Sequence, residues 1–156
     1  MSTTMSLSVQ EEECAAGLHG DIQTILVVDN YLWIGELIAR GLNSLGYRAL
    51  TASDGKEAHE LILRKGSRHI DLLITELDLP HLRGKELSEL FLKENPQGRV
   101  LVMSSYSYAA DLCKNAAFLK KPFSHESLVA KIDELLAPAG SNSGRHTASN
   151  FGNQPA

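Results

Sequence analysis

The chain has 156 residues, 43% of them hydrophobic and 22% charged, with a formal net charge of -4. That length can bury one working core, the composition excludes wholesale disorder and fibrous classes, and no apolar run approaches the roughly 20 residues of a membrane-spanning helix. The charge is uneven: Glu11, Glu12, Glu13 and Asp21 stand in a stretch without Lys or Arg, and the nearly neutral remainder lacks the basic footprint of a nucleic-acid binder.

Residues 1–22 mix Ser, Thr, Glu and Gly without an apolar period, and 138–156 are rich in Gly, Ser, Asn and Pro. Both are predicted as mobile arms, the first acidic, around one domain at 23–137. No basic start precedes an apolar stretch, so no secretory signal is read and a cytoplasmic location is expected. Cys14 and Cys113 are far apart and fit neither a zinc motif nor a disulfide framework.

Between the arms, strand and helix signals alternate. Ile25, Leu26, Val27 and Val28 form a continuously apolar run, as in a strand buried on both faces. A helical stripe of Ile34, Leu37, Ile38, Leu42 and Leu45 follows and ends at Gly46. Tyr47 to Ala52 reads as a second strand. Asp54 with Glu57 forms a capping pattern for a helix carrying Ala58, Leu61 and Ile62 and ending at Gly66.

Ile70 to Thr75 is predicted as a third strand, Leu87, Leu90 and Phe91 mark a third helix, and Arg99 to Met103 is a fourth strand. Phe118 to Lys121 reads as a fifth strand, and Ser124 caps a last helix bearing Leu128, Ile132, Leu135 and Leu136. Such alternation predicts an α/β, doubly wound, five-stranded parallel sheet covered on both faces. In such a sheet functional groups gather beyond the carboxyl ends of the strands. Asp29 and Asn30 after the first strand, Glu76 at the third, Ser104 at the fourth and Lys121 at the fifth are thereby predicted to converge.

These strings, in this order, resemble the receiver domain of bacterial response regulators from about Gln23 to Leu136. They are Ile25 to Asn30, Asp71 to Pro80 with Gly84, Val102 to Ser105, and Phe118 to Phe123. The resemblance implies a flavodoxin-like order, 2-1-3-4-5. It places Glu76 where the family has a phosphate-accepting aspartate, Ser104 as the conserved hydroxyl, Lys121 as the phosphate-binding lysine, Phe118 as the switch aromatic, and a cis peptide before Pro122. Asp29, Asn30 and Asp78 become the acidic-pocket equivalents. Pro80 fixes the register: the family's proline lies four residues past the acceptor, which is Glu76 and not Asp78.

Three departures follow. Glu76 carries its carboxylate about 1.5 Å further out than an aspartate, enough to impair in-line phosphoryl transfer. Asn30 replaces an acid, so no metal or cofactor is expected beyond weak magnesium at Asp29 and Glu76. Ser104 and Lys121 are 17 positions apart, shorter than the family pattern by roughly five residues, more than a helical turn, which predicts a shortened fourth helix.

An extended Glu76 is predicted to reach the Lys121 ammonium, with Ser104 donating a hydrogen bond, as a partial mimic of a phosphorylated site. Tyr106 and Tyr108 are expected as packing residues, and Trp33 as a partly buried cover for the core. The family reading predicts a stand-alone, non-enzymatic, phosphorylation-independent receiver, a monomer or weak homodimer. It would signal through contacts with a histidine kinase or a downstream regulator. The alternative is a pseudo-receiver scaffold, dimerisation or ligand-binding module without switching. A haloacid-dehalogenase-type phosphatase fails, because Asp29 is followed by Asn30 and Tyr31 with no second aspartate.

Overall fold

A computed structural model describes residues 22–65, 69–113 and 115–137. Its elements run β1 (Thr24–Val28), α1 (Leu32–Ser44), β2 (Arg48–Ala52), α2 (Gly55–Lys65), β3 (Leu72–Glu76), α3 (Gly84–Glu94), β4 (Arg99–Ser104), α4 (Ala109–Leu112), β5 (Ala117–Lys120) and α5 (His125–Leu136). The strands form one parallel sheet in the order β2-β1-β3-β4-β5. The predicted architecture and the shortened fourth helix are both present. The two predicted arms, apart from Ile22, and Gly66 lie outside the described residues.

Strand β1 is central, and all five of its residues are buried. Successive side chains of a strand point to opposite faces, so Leu26 and Val28 join Ala58, Ile62, Leu87 and Phe91 beneath α2 and α3. Ile25 and Val27 meet Leu42, Leu128 and Ile132 beneath α1 and α5. Full burial of each such side chain contributes about 1.5–3 kcal/mol, which is why an unbroken apolar run is stable here and nowhere near a surface.

Local signals set the element ends. Helix α1 closes with Gly46 at φ +98°. The Gly46 N–H donates to the Asn43 carbonyl at 3.1 Å and the Tyr47 N–H to that of Leu42 at 3.1 Å, the paired bonds of a glycine-terminated helix. At the start of α2 the Asp54 carboxylate accepts the Glu57 N–H at 2.8 Å, while Glu57 reaches back to the Ser53 N–H at 2.7 Å. Ser124 caps α5 by accepting the Ser127 N–H at 3.0 Å.

Three expectations are corrected. The buried face of α1 is Gly35, Ala39 and Leu42, while Leu37 and Leu45 are exposed, because small residues let the helix lie close to the sheet and rotate the larger leucines outward. Trp33, at 67% exposure, covers no core. Strand β5 begins at Ala117 and ends at Lys120. The Lys121 N–H still donates to the Ser104 carbonyl at 2.9 Å, and Pro122 follows at once, its ring holding φ at about -65° and away from the extended value of a strand.

Among the described residues, no helix is long and apolar enough to cross a membrane.

Candidate functional site

Parallel strands deliver their carboxyl ends to one rim, and four of the predicted groups meet there. Asp29 follows β1 and is fully buried; its Oδ1 accepts the Tyr31 N–H at 2.9 Å. Glu76 is the last residue of β3 and Ser104 the last of β4. Lys121 follows β5, and its backbone N–H donates to the Ser104 carbonyl at 2.9 Å. That bond fixes the root of the lysine beside the site.

From this root the Lys121 ammonium donates to Glu76 Oε2 in an ion pair. The same ammonium lies 3.5 Å from Asp29 Oδ2, a buried oxygen that makes no hydrogen bond. Lys121 is 24% exposed and Glu76 13%, so the pair is poorly solvated and attracts more strongly than a surface pair. Burial raises the Glu76 carboxyl above its ordinary 4.5; the Lys121 hydrogen bond and charge pull it down, and Asp29 and Asp78 add to the rise. For Lys121 burial works the other way, but the hydrogen bond and charge of Glu76, with Asp29 behind them, raise its pKa above the ordinary 10.5.

The Ser104 hydroxyl and the remaining predicted residues are placed less centrally. Ser104 Oγ accepts the Tyr106 N–H at 3.1 Å, so the hydroxyl orders the loop after β4; the expected Ser104 donation to Glu76 is not among the bonds found. Asp78 is exposed and pairs with Arg83 at 3.3 Å. Asn30 is exposed. Phe118 is half-buried against the α2 and α3 face of the core. The Lys121–Pro122 peptide is cis, as the resemblance implies. Tyr106 and Tyr108, expected to pack inward, are 52% and 53% exposed. They stack on each other at 5.3 Å, because one turn of α4 offers them no wall.

Two glycines that shape the site were not singled out for this by their neighbours in sequence. A β-carbon on Gly84 would come within 2.2 Å of the Glu76 carbonyl, and one on Gly55 within 1.9 Å of the Leu82 carbonyl. In the sequence Gly84 stands only within the strings that carry the resemblance, and Gly55 only between Asp54 and Glu57 of the capping pattern.

A magnesium ion asks for several hard oxygen ligands around one point. Here Asp29 and Glu76 converge on an ammonium, Asp78 faces Arg83 and Asn30 is neutral. That donor set fits Lys121 and not the divalent ion the resemblance implies.

A family model described as the response regulator receiver domain matches residues 25–133. The chain is 30% identical over 113 residues to the transcriptional regulatory protein YrkP of Bacillus subtilis, across 69% of this chain and 47% of that protein. It is 30% identical over 130 residues to the sensor kinase CckA of Brucella abortus, across 80% of this chain and 13% of the kinase. It thus spans about half or less of the length of these curated relatives. The solved structure of the response regulator protein TrrA from Thermotoga maritima, in complex with magnesium and BeF, aligns with a TM-score of 0.65 at 30% identity. That alignment covers 74% of this chain and 100% of that one.

Proposed function

This chain belongs to the response regulator receiver domain family, and from that premise we propose that it serves two-component signalling as a receiver whose switch site works without phosphate. The observation that carries the reading is the Lys121 ammonium bound to Glu76 and flanked by Asp29 at 3.5 Å. In the family that lysine steadies a phosphorylated aspartate; here a longer carboxylate meets it directly. Glu76 supplies about one negative charge where a phosphoryl group supplies 1.5 to 2, so the mimicry is partial.

No catalytic step is assigned. The chain's own residues hold a charge at a fixed point: Glu76 provides it, Lys121 binds it, and the Lys121 N–H bond to the Ser104 carbonyl ties β5 to β4 beside it. Phe118, next to that edge and half-buried, transmits the arrangement by packing alone, since it has no hydroxyl to reorient. The partner is a histidine kinase or a downstream regulator, met in the cytoplasm by protein contacts. The one-turn α4 supports a second reading, a scaffold without switching, because it alters the surface beside β5.

Incubation with acetyl phosphate and magnesium, followed by intact-mass measurement, tests the first part: the mass stays unchanged, and a stable phosphate on Glu76 would sink the reading. Partner affinity tests the second. Glu76→Gln weakens binding at least tenfold if the charge matters, whereas equal binding leaves only the scaffold.

A further inference from the structure

Beside α3 a cleft of about 560 Å³ opens, walled by Lys85, Leu92, Lys93, Cys113 and Ala116. A second hollow of about 440 Å³ continues it past Leu92 and Asn115 to Arg99, Ala117 and Leu135 at the lower end of the sheet. Helix α4 stops after one turn, at Leu112, one residue before Cys113 of this wall. Among the described lining residues three cations, Lys85, Lys93 and Arg99, stand against the one carboxylate of Glu89; Arg99 Nη1 donates to the Gln97 carbonyl at 3.2 Å, which leaves its charge uncompensated. Glu89 is taken by Lys85 at 2.9 Å, and among the described residues no carboxylate pairs with Lys93 or Arg99.

The chain carries a segment of matching chemistry. Residues 1–21 hold Glu11, Glu12, Glu13 and Asp21 with no Lys or Arg, and the acidic triplet runs into the apolar Cys14, Ala15 and Ala16. Its root lies beside the lower hollow: the Gln23 side chain donates to the Leu136 carbonyl at 3.5 Å, one residue from Leu135. From β1 to β5 is three strand spacings, about 14 Å. The eight residues from 14 to 21 can extend about 26 Å, so the triplet can reach Lys93 and Arg99.

We propose that residues 11–16 of this same chain occupy the cleft, with the glutamates on Lys93 and Arg99 and the small apolar residues over Leu92 and Ala116. Pairs at such a rim are individually weak and screened by salt. Tethering compensates, since a short linker gives an effective concentration in the millimolar range. The consequence is regulatory: a partner that uses the surface beside β5 must first displace the chain's own arm. This inference is independent of the Glu76 reading.

The test places a nitroxide on Cys14 of the full chain bearing Cys113→Ser, and reads amide signal intensities by NMR with the label oxidised and reduced. Signals of Leu92, Asn115 and Ala116 fall at least twofold, those of Trp33 and Leu37 on the opposite face stay, and Lys93→Glu with Arg99→Glu restores the lost intensity. Unchanged signals at the cleft overturn the proposal. So does loss seen when the label sits on a separate, isotopically silent copy, because the occupant is then another molecule's arm. If Cys113→Ser does not fold, Glu11, Glu12 and Glu13→Gln in the natural chain serve instead. Amide shifts at Lys93 and Asn115 then change on substitution, and identical shifts overturn the proposal equally.

Discussion

Gly84 packs so tightly beneath Glu76 that a β-carbon built on it would lie 2.2 Å from the Glu76 carbonyl oxygen. The Gly84 N–H also donates to the Leu77 carbonyl at 2.9 Å, so the first turn of α3 is clamped onto the end of β3. A methyl group there must push backbone, which cannot yield as a flexible side chain would. Gly84→Ala is expected to cost about 1–3 kcal/mol. Its denaturation midpoint falls with an unchanged slope, and the amide shift of Lys121 moves as the Glu76 carboxylate is displaced.

Among the described residues Lys121 is the one cation paired with both Asp29 and Glu76, so its removal is more damaging than removal of either acid. Lys121→Met leaves Asp29, fully buried, facing Glu76 with no compensating charge. Breaking a buried pair from one side costs about 3 kcal/mol. Chemical denaturation at neutral pH measures this cost, and it shrinks on acidification, as protonation of Glu76 removes the repulsion.

The raised pKa of Glu76 has a definite sign in the stability curve of the unmodified protein. A carboxyl that holds its proton more tightly when folded adds stability that is fully present below its ordinary 4.5 and is lost as pH rises through the raised value. Unfolding free energies of wild type and Glu76→Gln, whose neutral amide stands in for the protonated carboxyl, therefore lie closest in acid, and wild type loses ground to the variant as pH rises toward neutral. Lys121, raised above 10.5, adds a second loss only in strong alkali.

Restoring the two altered acids should restore the chemistry. Glu76→Asp withdraws the carboxylate from Lys121 by about 1.5 Å, and Asn30→Asp supplies an anionic oxygen for a divalent ion. The double variant is expected to gain a phosphoryl mass from acetyl phosphate with magnesium while the natural chain does not. A double variant that stays unmodified would show that the shortened α4, rather than the two acids, blocks the reaction.

The start of α2 offers a separable local test. Asp54→Ala removes the acceptor of the Glu57 N–H and is expected to cost about 1 kcal/mol. Because Glu57 is itself bound to the Ser53 N–H, a cycle with Glu57→Ala gives a coupling of at least about 0.5 kcal/mol.

Periodicity and caps made the sheet legible from sequence, since Ile25 to Val28, Gly46, Asp54 and Ser124 each act within a few residues of themselves. The meeting of Glu76 with Lys121 was legible for a different reason: both sit at strand ends that parallel pairing brings to one rim. Burial of individual side chains was not legible. Leu37 and Trp33 carry the same apolar signal as Leu42, but which face of α1 lies on the sheet depends on Gly35 and Ala39 admitting close approach. Ser104 and Tyr106 likewise needed coordinates, because only the short loop after β4 brings the Tyr106 N–H onto that hydroxyl.

The position of β1 between β2 and β3 governs how the chain can be born. A ribosome that has released residues only through α2 has supplied β1 with one neighbour, β2, and its other edge must wait for Leu72–Glu76. During that interval the most apolar strand of the protein presents a bare row of amides and carbonyls to whatever is nearby, the condition under which strands recruit wrong partners. Substitutions that slow emergence or pairing of β3 are thus expected to lower the soluble yield of newly made protein, even where the finished fold is as stable as before.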